Sequence, residues 1–169
     1  GSEMCIRDSS IDEELGCVGC VPMVAELAAR APRAAAVIVG EPSRMQAVTG
    51  HKGGLMFRTE VKGFPVHSSM MHTGVNAIME AAKLIDWANA RNATNRAAVP
   101  SALAAVFDPP WTTVHVGQIS GGTAHNITAE HCTFGLDFRD VPGEAAEAWA
   151  RAYQPKVAEV EAGRKDVRT

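Results

Sequence analysis

The chain has 169 residues, 46% of them hydrophobic, which is enough for one ordinary domain, or parts of two, with a real core. Sixteen basic residues stand against nineteen acidic ones, for a net charge of −3 with six neutral histidines, and no Lys/Arg block exceeds two residues, so the composition excludes nucleic acid or an acidic membrane as a partner. No apolar run approaches the roughly 18 residues of a membrane span, and the N-terminus lacks a secretory signal pattern, so a soluble cytoplasmic protein is expected.

Residues 1–10, GSEMCIRDSS, read as neither helix nor strand; they resemble translated sequencing-adapter text and are set aside from fold reasoning. From Ile11 the character changes. Asp12-Glu13-Glu14 runs into a small-residue turn at Gly16 and Gly19, and helical spacing follows over Val21–Arg33, with Pro22 accommodated in the first turn. Ala36–Val39 is a continuous apolar run stopped by Gly40, the pattern of a short parallel strand buried on both faces. Cys5, Cys17, Cys20 and Cys132 are too few for a disulfide framework in a chain of this length and read as thiols. Cys17 and Cys20 form a C-x-x-C, for which redox chemistry and half of a zinc site are open readings. Small buried thiols beside Gly16 and Gly19 are the favoured one, because no second Cys/His pair completes a zinc pattern.

A second architecture begins near Val48. Leu55–Val61 alternates as a strand with one face covered, ended by Gly63 and Pro65. Residues 76–91 predict a helix with Asn76 as N-cap and Ile78, Ala81, Ala82 and Ile85 on its inner face, and residues 92–110 predict a loop. Thr112–Ile119 and Cys132–Phe138 alternate again, separated by a break at Gly121-Gly122. After Pro142-Gly143-Glu144 a helix is predicted to about Gly163, with Ala145, Ala148, Trp149 and Ala152 inward. Strand, helix, strand, strand, helix is a βαββαβ split unit short of its last strand, so the C-terminus reads as truncated.

Adjacent acids such as Glu13 and Glu14 usually mark a solvated surface. Their context raises their standing, because Glu41 directly follows the apolar run at 36–39, and α/β sheets place their sites at the carboxyl ends of parallel strands. One acid of such a pair can bind a metal while its neighbour acts as a base.

The segments IDEELGCVGC, VIVGEPS, HKGG, VKGFPVHSSMMHTGVNAI, VGQISGGTAHNITAEHC and LDFRDVPG, in that order over residues 11 to about 143, resemble one family. It is that of acetylornithine deacetylase, succinyl-diaminopimelate desuccinylase and carboxypeptidase G, co-catalytic zinc amidohydrolases. The resemblance implies an α/β protein in two parts. Residues 11–47 would be a fragment of a zinc-aminopeptidase-like catalytic domain, and residues 48–169 a ferredoxin-like βαββαβ dimerisation domain, in a homodimer.

It further implies two zinc ions per site, with cobalt as an alternative. Glu13 would be the general base, Glu14 a ligand of one ion and Glu41 of the other. His67 would reach into the partner's site to support the developing oxyanion, with His72 its rival. Asn126 would hold the substrate, and Arg139 would grip its carboxylate unless a salt bridge to Asp137 or Asp140 occupies it. The implied substrate is a small N-acyl amino acid, in the nearest branch N2-acetyl-L-ornithine, cleaved to L-ornithine and acetate in arginine biosynthesis. A sibling substrate, or a role as a dimerisation module alone, are the other readings. The chain departs from the family in having Thr128-Ala129 where a proline is usual. The family's remaining metal ligands, an upstream His and a bridging Asp and a final His, match nothing in it, so the chain alone is expected to be inactive.

Overall fold

The computed structural model describes residue 11, residues 16–40 and residues 42–166, with the last two as backbone only. The chain divides into two compact units, residues 1–47 and 48–169.

In the first unit, helix α1 spans Cys20–Arg30 and buries none of its residues. It stops three residues before the predicted end because Ala31 precedes Pro32, whose ring disfavours the helical conformation there, and Ala31 is accordingly extended (φ −94°, ψ 148°). The strand predicted at Ala36–Val39 does not form: the segment is extended but unpaired, and Ile38 is 94% exposed. An apolar run becomes a buried parallel strand only between neighbouring strands, and among the described residues of this unit there are none.

The second unit begins with β1 (Leu55–Lys62), followed by a 3₁₀ segment (Ser68–Thr73) and α2 (Ala77–Ala97). A short 3₁₀ turn at Ala104–Val106 precedes β2 (Thr113–Gly121), β3 (His131–Arg139) and α3 (Ala146–Asp166). The sheet order is β1-β3-β2, antiparallel throughout, with Leu55 opposite Phe138 and Val114 opposite the same residue on the other side. This is the arrangement expected of a split βαβ unit. On β1 the predicted alternation holds, with Leu55, Phe57, Thr59 and Val61 turned inward.

Both helices cover the inner face of the sheet, and the core lies between the layers: Val61, Val114, Phe134, Leu136 and Phe138 from the sheet meet Ala81, Leu84 and Ala88 from α2 and Tyr153 and Val160 from α3. Two helix faces differ from the reading of the sequence. On α2 the buried residues are Ala77, Ala81, Leu84 and Ala88, while Ile78 and Ala82 are exposed. On α3 the inward stripe is Trp149, Tyr153, Val157 and Val160, while Ala145 and Ala148 are exposed. On α3 the large side chains set the face, because they have the most area to remove from water.

Helix α2 also runs six residues into the predicted loop. Its N-cap is as expected, since the Asn76 side chain accepts from the Ile78 and Met79 amides (3.0 and 3.3 Å). At its other end the Asn92 side chain donates to the Val114 carbonyl (2.6 Å) and accepts from the Val114 amide (2.9 Å), and Asn95 donates to the Thr112 carbonyl (2.8 Å). These residues therefore satisfy backbone groups at the start of β2, which would otherwise compete for water or another strand. Among the described residues no helix is long and apolar enough to cross a membrane.

Candidate functional site

His67 and Asn126, distant in the chain, are brought side by side by a short antiparallel clasp. The Ser68 amide donates to the Asn126 carbonyl (2.8 Å) and the Thr128 amide to the Val66 carbonyl (2.9 Å), which sets His67 opposite Ile127. Thr128 locks the clasp. Its buried hydroxyl accepts from the Val66 amide (2.8 Å) and donates to the Phe64 carbonyl (3.1 Å), with the Val66 carbonyl at 3.3 Å. Thr128 stands where the resemblance implied a proline, and its hydroxyl ties this loop to the facing segment. Thr128→Val keeps the shape and removes the acceptor of a part-buried amide. The expected loss is about 1–3 kcal/mol, measurable as a lower urea midpoint together with faster hydrogen exchange at the Val66 amide.

His67 is exposed and caps the 3₁₀ segment. Its Nδ1 lies 3.3 Å from the Ser69 amide and 2.8 Å from the Ser69 hydroxyl. An amide N–H can only donate, so Nδ1 is an acceptor and the neutral ring carries its proton on Nε2. That nitrogen is left as a hydrogen-bond donor for whatever binds beside the clasp. His72, the rival, sits on the following turn outside the clasp. Asn126 is exposed, on the loop that follows Gly122, whose φ of +77° makes a turn that favours glycine. A Cβ at Gly121 would fall 2.7 Å from the His131 carbonyl oxygen, so the expected turn at this glycine pair is there for close backbone approach.

Arg139 does not join this pair. It ends β3, whereas the clasp adjoins the start of that strand, and eight steps at about 3.3 Å separate the two ends by about 26 Å. Its Nε donates to Asp137 (3.0 Å), one of the two ion pairs anticipated for it.

Around Arg139 the sequence reading missed a second grouping, formed by the HKGG segment. The Gly53 amide donates to the Asp140 carbonyl (2.9 Å), and a Cβ at Gly53 would run into the Asp140 carboxylate. The Lys52 ammonium donates to the Trp111 carbonyl (2.8 Å); burial pulls its pKa below the usual lysine value, and Asp108 opposes that fall. A cleft of about 270 Å³ opens at this end between Asn95, Trp111, Val141 and Glu144. The Glu144 carboxylate already accepts from Thr112 (2.6 Å) and Trp149 (3.1 Å), so its hydrogen bonds hold α3 to the sheet.

The carboxylates assigned to the metal, Glu14 and Glu41, and the assigned base Glu13 lie outside the described residues. Among the described residues no three His, Cys, Asp or Glu side chains stand together in a way that would hold an ion. Cys17 and Cys20 depart from the expected buried thiols: Cys17 is exposed and Cys20 half-buried. Among the described cysteines Cys132 alone is buried, and burial pushes its thiol pKa up.

Residues 49–164 match the family described as the peptidase dimerisation domain. The chain belongs to that family. The dimerisation domain and the segment before it are also similar to acetylornithine deacetylases, bearing out the resemblance read from the six motifs. The protein of that name from Myxococcus xanthus is 35% identical over 136 residues, 80% of this chain and 34% of its own length. That from Proteus mirabilis (strain HI4320) is 32% identical over 136 residues, 80% of this chain and 33% of its own. The chain therefore spans about a third of the length of these curated relatives.

Among solved structures, amidases of the hydantoinase/carbamoylase family from Burkholderia vietnamiensis and Burkholderia multivorans share the fold. Their TM-scores are 0.54 and 0.53 and their identities 20% and 19%; each covers 68% of this chain, which in turn covers 25% and 26% of theirs.

Proposed function

We propose that this chain is the dimerisation domain, with a neighbouring piece of the catalytic domain, of a homodimeric zinc-dependent amidohydrolase that cleaves N2-acetyl-L-ornithine to L-ornithine and acetate, in the cytoplasm, for arginine biosynthesis. The observation that carries this reading is the clasp. It fixes the tautomer of His67, aims an N–H outward beside Asn126, and does so in a domain whose curated relatives are acetylornithine deacetylases.

In this reading His67 Nε2 donates to the amide oxygen as negative charge builds there, a contribution of about 3–4 kcal/mol to the barrier for a preorganised donor. Asn126 orients the acyl amino acid, and Arg139 leaves Asp137 to grip the substrate carboxylate with its fork of N–H groups. Glu13 takes a proton from the attacking water and passes it to the departing amine. Glu14 and Glu41 would hold zinc, or cobalt in its place; their hard oxygen donors suit such an ion, which when bound supplies Lewis acidity at the scissile amide.

The test is an assay of the complete enzyme against N2-acetyl-L-ornithine, succinyl-diaminopimelate and a set of N-acetylated amino acids. Chelator should abolish acetylornithine turnover and zinc or cobalt should restore it. Turnover of another N-acyl amino acid without acetylornithine would replace the substrate by a sibling's. Dimerisation with neither hydrolysis nor stoichiometric metal would leave the dimerisation module alone.

A further inference from the structure

Cys17 is exposed and Cys20 half-buried, so neither thiol is enclosed in a core, and their spacing matches what two sulfurs need in order to join. The Cys20 amide donates to the Cys17 carbonyl (3.1 Å), closing the turn Cys17-Val18-Gly19-Cys20. A turn closed in this way holds its end Cα atoms within about 7 Å, and a disulfide spans Cα separations of about 4.4–6.8 Å. Cys20 then opens the eleven-residue helix α1, so the second thiol is anchored on a regular element while the first stands in solvent. This is the arrangement in which an exposed thiol meets a small reagent and an adjacent, less exposed one resolves the product. The described residues offer no rival in the core, since Cys132 is 1% exposed.

We propose that Cys17 and Cys20 form a reversible dithiol/disulfide site that exchanges with small-molecule disulfides. The Cys17 thiolate attacks one sulfur of the small disulfide, forming a mixed disulfide and expelling one small thiolate. The Cys20 thiolate then attacks the Cys17 sulfur, forming the Cys17–Cys20 bond and expelling the second. The two protein thiols are oxidised, the small disulfide is reduced to two thiols, and the two protons released by the cysteines end on those thiols. The site adjoins chemistry assigned elsewhere in the chain. Cys17 lies three residues after Glu14, and the Ile11 carbonyl packs so closely on Gly19 that no side chain fits between them. Resting on the proposed function, the link would stiffen the turn next to the Glu13-Glu14 segment and make hydrolysis respond to oxidation.

The experiment needs no activity and so stands or fails apart from that function. The reduced 169-residue chain is incubated with glutathione disulfide, quenched with N-ethylmaleimide and digested with trypsin, which releases residues 8–30 as one peptide carrying Cys17 and Cys20 but not Cys5. In excess glutathione disulfide this peptide should lose both alkylation sites and two hydrogens, and regain both sites after dithiothreitol. In Cys20→Ser the reaction should halt as a glutathione adduct on Cys17. A peptide that stays doubly alkylated at every ratio, a link from Cys17 to Cys5, or no adduct on Cys17 in Cys20→Ser would each overturn the proposal.

Discussion

Replacing Phe138 by Ala should lower the unfolding free energy of the dimerisation domain by about 3–5 kcal/mol, the range for removing a buried aromatic ring from a packed core. Phe138 is fully buried, near the end of the central strand, flanked by Leu55 on β1 and Val114 on β2. Its ring centre lies 5.8 Å from that of Phe57, 5.8 Å from Trp149 and 6.4 Å from Trp87. One side chain therefore touches a residue of β1, one of α2 and one of α3, and neither helix can close over the gap without moving the other. Against a total stability of about 5–15 kcal/mol for a domain of this size, such a loss threatens the fold itself. Met56→Ala, on the exposed face of β1, is the control and should stay within about 0.5 kcal/mol. Urea midpoints for the two variants decide the matter, and a Phe138→Ala cost near that of the control would show that the aromatic cluster does not hold the layers together.

The three strands of this domain were legible because one face of β1 and β3, and Val114 and Val116 of β2, are covered, which prints a period of two on the sequence. Elsewhere the sequence reports that a residue is apolar without reporting what will cover it. That is why Val37, Ile38 and Val39 read as a buried strand and lie exposed beside no described partner strand. In α2 the signal pointed the wrong way. Residues 92–110 read as loop because the stretch is small, polar and proline-containing, yet in the fold the Asn92 and Asn95 side chains bond backbone at the start of β2, and tertiary contact overrides local preference. In α3 a run of alanines left two faces nearly equal in hydropathy, and Tyr153 and Val160 decided between them.

The site divides in the same way. His67 and Asn126 were found as motifs, but their adjacency is a product of pairing between segments far apart in sequence, and Thr128, which secures that pairing, read only as a missing proline. The Asp137 partner of Arg139 was legible, because alternate residues of a strand share a face.

The separation of Arg139 from the clasp leads to the second large effect. About 26 Å along β3 is too far for His67, Asn126 and Arg139 of one subunit to touch the same small amino acid, so the proposed function requires a symmetric dimer in which each site draws the clasp from one subunit and the arginine from the other. In the complete enzyme, His67→Ala should lower kcat by about 10²–10³-fold, the cost of losing one oxyanion donor. Arg139→Ala, which gives up charge-assisted hydrogen bonds worth about 1.5–3 kcal/mol, should lower kcat/KM by about 10- to 100-fold.

Mixing the two variants separates the geometries. A dimer with one His67→Ala subunit and one Arg139→Ala subunit places both lesions in one site and leaves the other whole. With half of the dimers mixed and half of their sites intact, an equal mixture of unfolded and refolded subunits should recover about a quarter of the native rate at low substrate, far above either parent. If all three residues served one site within a subunit, every site in the mixture would carry one lesion and the rate would stay at the average of the parents. Recovery would therefore place Arg139 and the clasp on opposite sides of the subunit boundary, and a rate at the average of the parents, with mixed dimers shown by mass to have formed, would overturn that placement.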